Sequence, residues 1–435
     1  MEGSLLAIVV GIGMVIVFIL LRIPVAIALG VTGILGMWIM FGWETMFESF
    51  KIYPYMKVAS WELLPVPLFI LMGYFAAAGG VTSAAYRTAY KWLGRLPGGL
   101  AHASVVSCGL FAAACGSSTA TAGTMGSVAI PEMLKYGYDK RLAAGTVCAA
   151  GTFGVMIPPS MIFVIYGIVT QVSIPKLLIS GILPGILTLI SYSLIILIIA
   201  KHKPDLAPPG VFFSWLERLK SLKDIWGIFI LAFCVVGGIY TGFFTPTEAA
   251  GVGAFIALLI GLIKGRRGAE SMVQSLAETA RTTSMVFLLI VGSSFFSFFL
   301  IMSGGGTFIV NTILDLALPN WAILSFILLL YIPLGMVIDS ISLLLITLPV
   351  LFPIVVSLGY NGIWFGVLQV KLNEIAMVTP PVGINLYVIK GVAPPEISFE
   401  DIMFGMLPFL MCDICVLVLL VIFPKVSLFL PSLMG

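Results

Sequence analysis

The stretch Gly151-Thr152-Phe153-Gly154-Val155-Met156-Ile157-Pro158-Pro159 decides the fold, because a relation of it returns 222 positions later as Ala376-Met377-Val378-Thr379-Pro380-Pro381-Val382-Gly383-Ile384-Asn385. Each lies inside an apolar segment, Arg141 to Val169 and Ile363 to Val392, and interrupts it at a Pro-Pro pair. Proline donates no backbone hydrogen bond and clashes with the preceding turn, so neither segment can be one unbroken helix. The same offset pairs Pro24 with Pro246, Pro131 with Pro353 and Gly137-Tyr138 with Gly359-Tyr360; further on it becomes 224, pairing Leu183-Pro184 with Leu407-Pro408. Matches in the same order along most of the chain mark an internal duplication, residues 1–222 and 223–435.

Composition fixes the solvent of both halves. Of 435 residues 60% are hydrophobic and only 9% charged, with a net charge of +3. That balance excludes a soluble enzyme, a nucleic-acid binder and a disordered scaffold. The apolar runs are continuous rather than alternating, which excludes a β-barrel and predicts an all-α polytopic membrane protein. Simple spans are expected near Leu5 to Leu21, Pro24 to Phe41, Leu63 to Gly79, Leu177 to Ala200, Ile225 to Thr241, Pro246 to Ile263, Met285 to Met302 and Ile402 to Val421. The first run follows Glu2 rather than Lys or Arg and leads at once into a second run, so it reads as an uncleaved span, not a signal peptide. The six cysteines lie in apolar stretches without metal or disulfide spacing and read as small core residues.

Two regions, His102 to Leu134 and Trp321 to Leu358, each hold paired apolar stretches meeting at small polar residues and read as re-entrant hairpins. Each half then has three spans, a hairpin, a broken span and a final span. Five crossings is an odd number, so the second half is inverted relative to the first, the repeat architecture of secondary transporters with about ten crossings. With the N-terminus outside, 17 of the 22 Lys and Arg fall on the cytoplasmic side, as the positive-inside rule requires. The stretches carrying Lys51 and Lys57, and Lys264 to Arg281, read as amphipathic arms along the interface.

Irregular backbone at membrane depth survives only where it is buried or lines a cavity. Four such places occur: the turns Cys115 to Thr121 and Gly335 to Ser342, and the two Pro-Pro breaks. A break leaves carbonyl oxygens at one helix end and amides at the other, able to hold a cation and an anion respectively. Sodium prefers oxygen, by extension of the rules for harder divalent ions, and the hydroxyls of Ser118, Ser340 or Thr379 can add to the carbonyls. Close helix packing by small residues is the competing explanation. Asp339, at the position of Ser117 in the first half, could complete a cation site, bind a proton or cap the following helix. Lys371 and Glu374, three apart, read as a buried structural ion pair rather than substrate contacts. His102 and His202 read as satisfied interfacial histidines, and Glu248 as a first-turn carboxylate at a helix N-terminus.

Gly116-Ser117-Ser118-Thr119-Ala120-Thr121-Ala122-Gly123, Gly154 to Pro159, and Thr379-Pro380-Pro381-Val382-Gly383-Ile384-Asn385-Leu386 together resemble the large membrane subunit of tripartite ATP-independent periplasmic (TRAP) transporters, the DctM-like family. The resemblance implies an elevator-type transporter of the bacterial inner membrane, N-terminus periplasmic, in which the hairpins and broken helices, 99–170 and 303–392, move against a scaffold of the remaining spans. It implies import of an organic acid such as a C4-dicarboxylate or 2-oxo acid, driven by coupled sodium ions without another cofactor. It also implies two partners: a separate small four-helix membrane subunit and a periplasmic substrate-binding protein. By similarity the first sodium site involves Ser118, Gly154, Ile157 and Pro158, and the second Gly335, Ala376, Thr379 and Val382 with Asp339. Substrate is expected between the hairpin turns, near Gly116, Ser117, Ser118, Asp339, Ser340, Pro159, Pro381 and Asn385. A sialic-acid transporter of this family would be expected to carry an arginine where this chain reads Met302-Ser303-Gly304-Gly305-Gly306, so a smaller carboxylate is expected. The rival readings are a stand-alone ion-coupled symporter or exchanger of the same fold, then a channel; a membrane enzyme ranks last, for want of a nucleophile and base at the expected cavity.

Overall fold

The computed structural model describes residues 2–208, 212–264, 268–315, 318–380 and 382–434. Among these, eight helices are long and apolar enough to cross a membrane, or up to ten if each of two bent pairs is one span.

The duplication is visible in the helix bounds. The returning hairpin arms, Ser118–Lys135 and Ser340–Ser357, start and end 222 positions apart, and the arms before the breaks, Lys140–Phe153 and Gly362–Val378, start 222 apart. The repeated Gly-Tyr pairs explain why. Gly137 and Gly359 take positive φ of 80° and 83°. The Tyr138 amide then donates back to the Met133 carbonyl at 3.1 Å, and Tyr360 to Val355 at 3.2 Å. Such a six-to-one bond around a left-handed glycine closes a helix C-terminus. The next residue starts a new helix: Asp139 accepts from the Arg141 and Leu142 amides, and Asn361 from Ile363 and Trp364. Each motif is therefore a helix stop followed at once by a helix start.

The hairpins pair Gly99–Cys115 with Ser118–Lys135 and Asn320–Val337 with Ser340–Ser357. Their tips differ. The first turns through Gly116 at φ +65°, which a side chain would strain, and Ser117 caps the Ala120 amide at 3.4 Å. The second passes through extended Ile338, and Asp339 Oδ1 caps both the Ile341 and Ser342 amides at 3.1 Å.

Several sequence expectations change in detail. The second span and its arm form one helix, Val25–Val58, kinked at Gly42. In the second half the arm instead runs without interruption into the next span as Gly268–Met302, rather than that span beginning at Met285; nothing between them breaks a helix. The span from Ile225 contains a π turn, Phe233–Gly237. His102 is buried at 4% exposure; its ring bonds the Pro97 backbone, while its Nε2 has no hydrogen-bond partner among the described residues. The cause is that Val81–Leu93 and Lys140–Phe153 both pack on its helix. Cys415 on Phe399–Ile422 is exposed, and Cys412 is only partly buried, its thiol reaching the Ser191 carbonyl of Ile182–His202 at 3.7 Å. Glu248 does occupy a helix start, where its carboxylate accepts from the Thr245 amide at 2.8 Å.

The helices sort into two packed groups. Val25–Val58, Pro65–Ala78, Pro246–Lys264 and Gly268–Met302 lie against one another. The hairpins and broken spans form the other group, together with the closing spans Ile182–His202 and Phe399–Ile422. Lys140–Phe153 and Phe399–Ile422 meet backbone to backbone, since a Cβ at Gly145 would strike the Gly405 carbonyl region and one at Gly405 would strike Arg141.

Candidate functional site

The two hairpin tips face each other across a cavity of about 230 Å³. Five residues expected from sequence line it: Gly116, Ser117, Ser118, Asp339 and Ser340. The opposite wall comes from the other helix group, through Tyr74 on Pro65–Ala78 and Thr282 on Gly268–Met302, whose hydroxyl oxygens lie 3.1 Å apart. Phe111, Met161 and Ile162 add apolar surface. Among the described residues lining the cavity, Asp339 and Tyr74 alone are ionisable, and Lys and Arg are absent.

The tips are electrically unlike. Asp339 places a carboxyl group on the amide end of Ser340–Ser357 and so fulfils the capping role. Ser117 gives the matching end of Ser118–Lys135 a neutral oxygen and a longer bond. The amide end of the first hairpin arm therefore keeps more of its positive potential for an anion in the cavity.

The breaks behind the tips have one geometry. The Ile157 amide donates to the Gly154 carbonyl at 3.1 Å, and Thr379 donates to Ala376 at 3.2 Å. Ile157 leaves the turn at φ −84°, ψ 123° and Thr379 at φ −79°, ψ 124°. Both breaks press on a hairpin arm, with the glycine on opposite sides of the contact. In the first half Gly154 sits against Ala112; in the second Ala376 sits against Gly335, where a Cβ would be 2.6 Å from that of Ala376. Small residues thus serve packing here while leaving main-chain oxygen at the break.

The structure brings Gly335 and Ala376 together, and packs the Gly154–Met156 turn on Ser118–Lys135. Thr379 Oγ1 bonds the Ile375 carbonyl at 2.6 Å. Pro159 lies behind the first tip, its carbonyl 3.5 Å from where a Cβ of Gly116 would stand. Pro158 follows the first break, and Val382 is partly buried in the turn before Ile384–Val392. Asn385 is fully buried away from the cavity lining, with neither amide atom partnered among the described residues. Pro381 lies outside the described residues.

Two features escaped the sequence reading. Met377, beside the second break, places its thioether 2.9 Å from Ser340 Oγ and 3.4 Å from Ser118 Oγ. The expected Lys371–Glu374 pair, 3.1 Å apart, belongs to a larger cluster: Lys371 Nζ also reaches Asp413 at 2.6 Å and Thr188 at 3.1 Å, and the Tyr192 hydroxyl donates to Asp413 at 2.6 Å. All five side chains are buried. An isolated carboxylate in an apolar span, such as Asp413, was the available signal. Among the described residues no group of three or more His, Cys, Asp or Glu could hold a metal ion.

The profile of the family described as "Tripartite ATP-independent periplasmic transporter, DctM component" matches residues 12–426. The chain is 35% identical to the C4-dicarboxylate TRAP transporter large permease protein DctM of Vibrio cholerae, covering 97% of this chain and 96% of that protein. It is 32% identical to the sialic acid TRAP transporter large permease protein SiaM of the same organism, covering 86% and 87%. Among solved structures, the Alcanivorax borkumensis YdaH transporter superposes with a TM-score of 0.63 at 16% identity, covering 89% of each chain. Neisseria gonorrhoeae MtrF gives a TM-score of 0.59 at 13% identity, covering 89% of this chain and 85% of that one. These two likenesses establish a shared transporter fold. With the family profile running over nearly the whole chain and relatives above 30% identity along most of their length, the chain belongs to the DctM component of the TRAP transporters and is a large permease subunit.

Proposed function

We propose that this subunit imports a small organic acid, with a C4-dicarboxylate or 2-oxo acid favoured over sialic acid, using sodium ions bound at the two breaks. The observation that carries the reading is the matched pair of turns, Gly154 to Ile157 and Ala376 to Thr379, each set directly behind one tip of a cavity without Lys or Arg. An anion entering that cavity needs compensating positive charge. Sodium at main-chain carbonyls supplies it, and the amide end of Ser118–Lys135 adds to it. The volume of about 230 Å³ falls below the roughly 300–1,000 Å³ of sites for drug-sized ligands, which favours a short acid.

In this reading the first sodium takes Ser118, Gly154, Ile157 and Pro158, and the second takes Gly335, Ala376, Thr379 and Val382 near Asp339. The unit containing 99–170 and 303–392 moves as an elevator past the helices that carry Tyr74 and Thr282. Phe399–Ile422, assigned from sequence to the scaffold, travels with that unit instead in this reading, since Asp413 and Gly405 tie it there. The N-terminus is periplasmic, in keeping with 17 of 22 Lys and Arg on the opposite side. A small membrane subunit and a periplasmic binding protein complete the transporter.

Reconstitution of this chain with its small subunit in liposomes, with binding protein outside, tests the reading. Uptake of a C4-dicarboxylate or 2-oxo acid should require an inward sodium gradient and the binding protein. Uptake by this chain alone would favour a stand-alone symporter, and uptake indifferent to sodium would remove the ion sites.

A further inference from the structure

Ser118 and Ser340 occupy equivalent positions of the two halves, each the first residue of a returning hairpin arm. Both hydroxyls reach one atom, the thioether sulfur of Met377, at 3.4 and 2.9 Å. The arrangement is two-fold about a residue that is not: the repeat position of Met377 in the first half is Val155, which carries no acceptor. Met377 is 3% exposed and borders the cavity.

We propose that Met377 is a positioning residue that orients both serine hydroxyls, Ser118 for the first cation and Ser340, which this proposal adds to the second site, for the other. A serine hydroxyl has one proton and two lone pairs, and thioether sulfur can only accept. With both protons pointed at the sulfur, the lone pairs of Ser118 and Ser340 are turned away from Met377 and left for hard cations, which take oxygen. One side chain thereby prepares the hydroxyls on both tips. It also links them: a shift of Met377 on filling one site changes the hydroxyl orientation at the other, so the two ions bind cooperatively. This proposal rests on the sodium-coupled reading above and adds to it the residue that joins the two sites.

The test uses the full transporter in liposomes with binding protein, varying sodium at saturating substrate. Met377→Leu keeps the volume and removes the acceptor, a swap that cores tolerate well. Losing the orienting bond should raise the sodium half-saturation roughly three- to tenfold, one hydrogen bond's worth. The sodium Hill coefficient should fall toward one. Met377→Gln, which restores an acceptor, should recover part of the sodium affinity. In a Ser118→Ala/Ser340→Ala background Met377→Leu should add little, because no hydroxyl remains to be oriented. Wild-type sodium affinity and Hill coefficient in Met377→Leu, or an equal loss in the double-alanine background, would overturn the proposal and leave sodium coupling standing. Sodium-independent uptake by the wild type would overturn both. Size-exclusion chromatography of each variant separates these outcomes from misfolding, and Met377→Ile offers a second acceptor-free side chain if the leucine variant fails to assemble.

Discussion

Lys371 Nζ and Asp413 Oδ1 lie 2.6 Å apart with both side chains at 0% exposure, which fastens the second broken helix to the closing span of its half. Burying this pair is not in itself a large gain, because desolvating two ions offsets their attraction. Its value is positional: the pair holds two helices in one register inside an apolar surround. Removing Asp413 leaves Lys371 only the longer ion pair, to Glu374 at 3.1 Å, and takes the acceptor from the buried Tyr192 hydroxyl.

Asp413→Ala should therefore destabilise the protein by about 3–5 kcal/mol, read as a lower midpoint of thermal unfolding in detergent. Lys371→Met combined with Asp413→Leu and Glu374→Gln, which leaves no unpaired buried charge, should recover part of that loss. An unchanged midpoint in Asp413→Ala would mean that the pair does not hold the helices together.

Asp339 caps Ser340–Ser357 and, in the proposed reading, also lies near the second sodium; substitution can separate the two roles. Asparagine caps a helix about as well as aspartate, so Asp339→Asn should leave stability unchanged, while Asp339→Ala should cost about 1 kcal/mol. Both remove the charge at the second tip and should raise the sodium half-saturation for transport severalfold. Stability is checked by thermal unfolding, and sodium dependence by uptake in liposomes. Sodium dependence identical to wild type in Asp339→Asn would confine Asp339 to capping.

Gln171 and Glu62 meet across the two helix groups, Nε2 to Oε2 at 3.4 Å, where Gln171 ends Met161–Thr170 and Glu62 lies in the turn Trp61–Leu63. The proposed elevator movement would part them. Cysteines at both positions, in a background freed of the native cysteines, should cross-link readily and stop uptake, and reductant should restore it. Full transport by the cross-linked protein would show that these groups do not slide past one another.

The duplicated scaffold was legible because its signals are local. Gly137-Tyr138 and Gly359-Tyr360 each encode a left-handed stop, and the Pro-Pro pairs each encode a break, so a constant offset found both. The tips were legible for the same reason: small polar residues between apolar stretches place Gly116 to Ser118 and Asp339 to Ser340 at the cavity. What escaped depends on contacts between distant segments. Met377 sits in an apolar run and acquires meaning only when two hairpins close on it. Asp413, Tyr192 and Thr188 lie far in sequence from Lys371, and periodicity carries no pairing information between helices. The second arm was misread as separate from its span because its polar residues resemble a loop, although each is compatible with continuing a helix.

Equilibrium binding of labelled sodium to the purified transporter is the most direct measurement of the claim that both breaks hold the ion. Two saturable sites per large subunit are predicted, with Ser118→Ala weakening one and Thr379→Val the other. No saturable sodium binding by the wild type, or binding unaffected by both substitutions, would contradict the account.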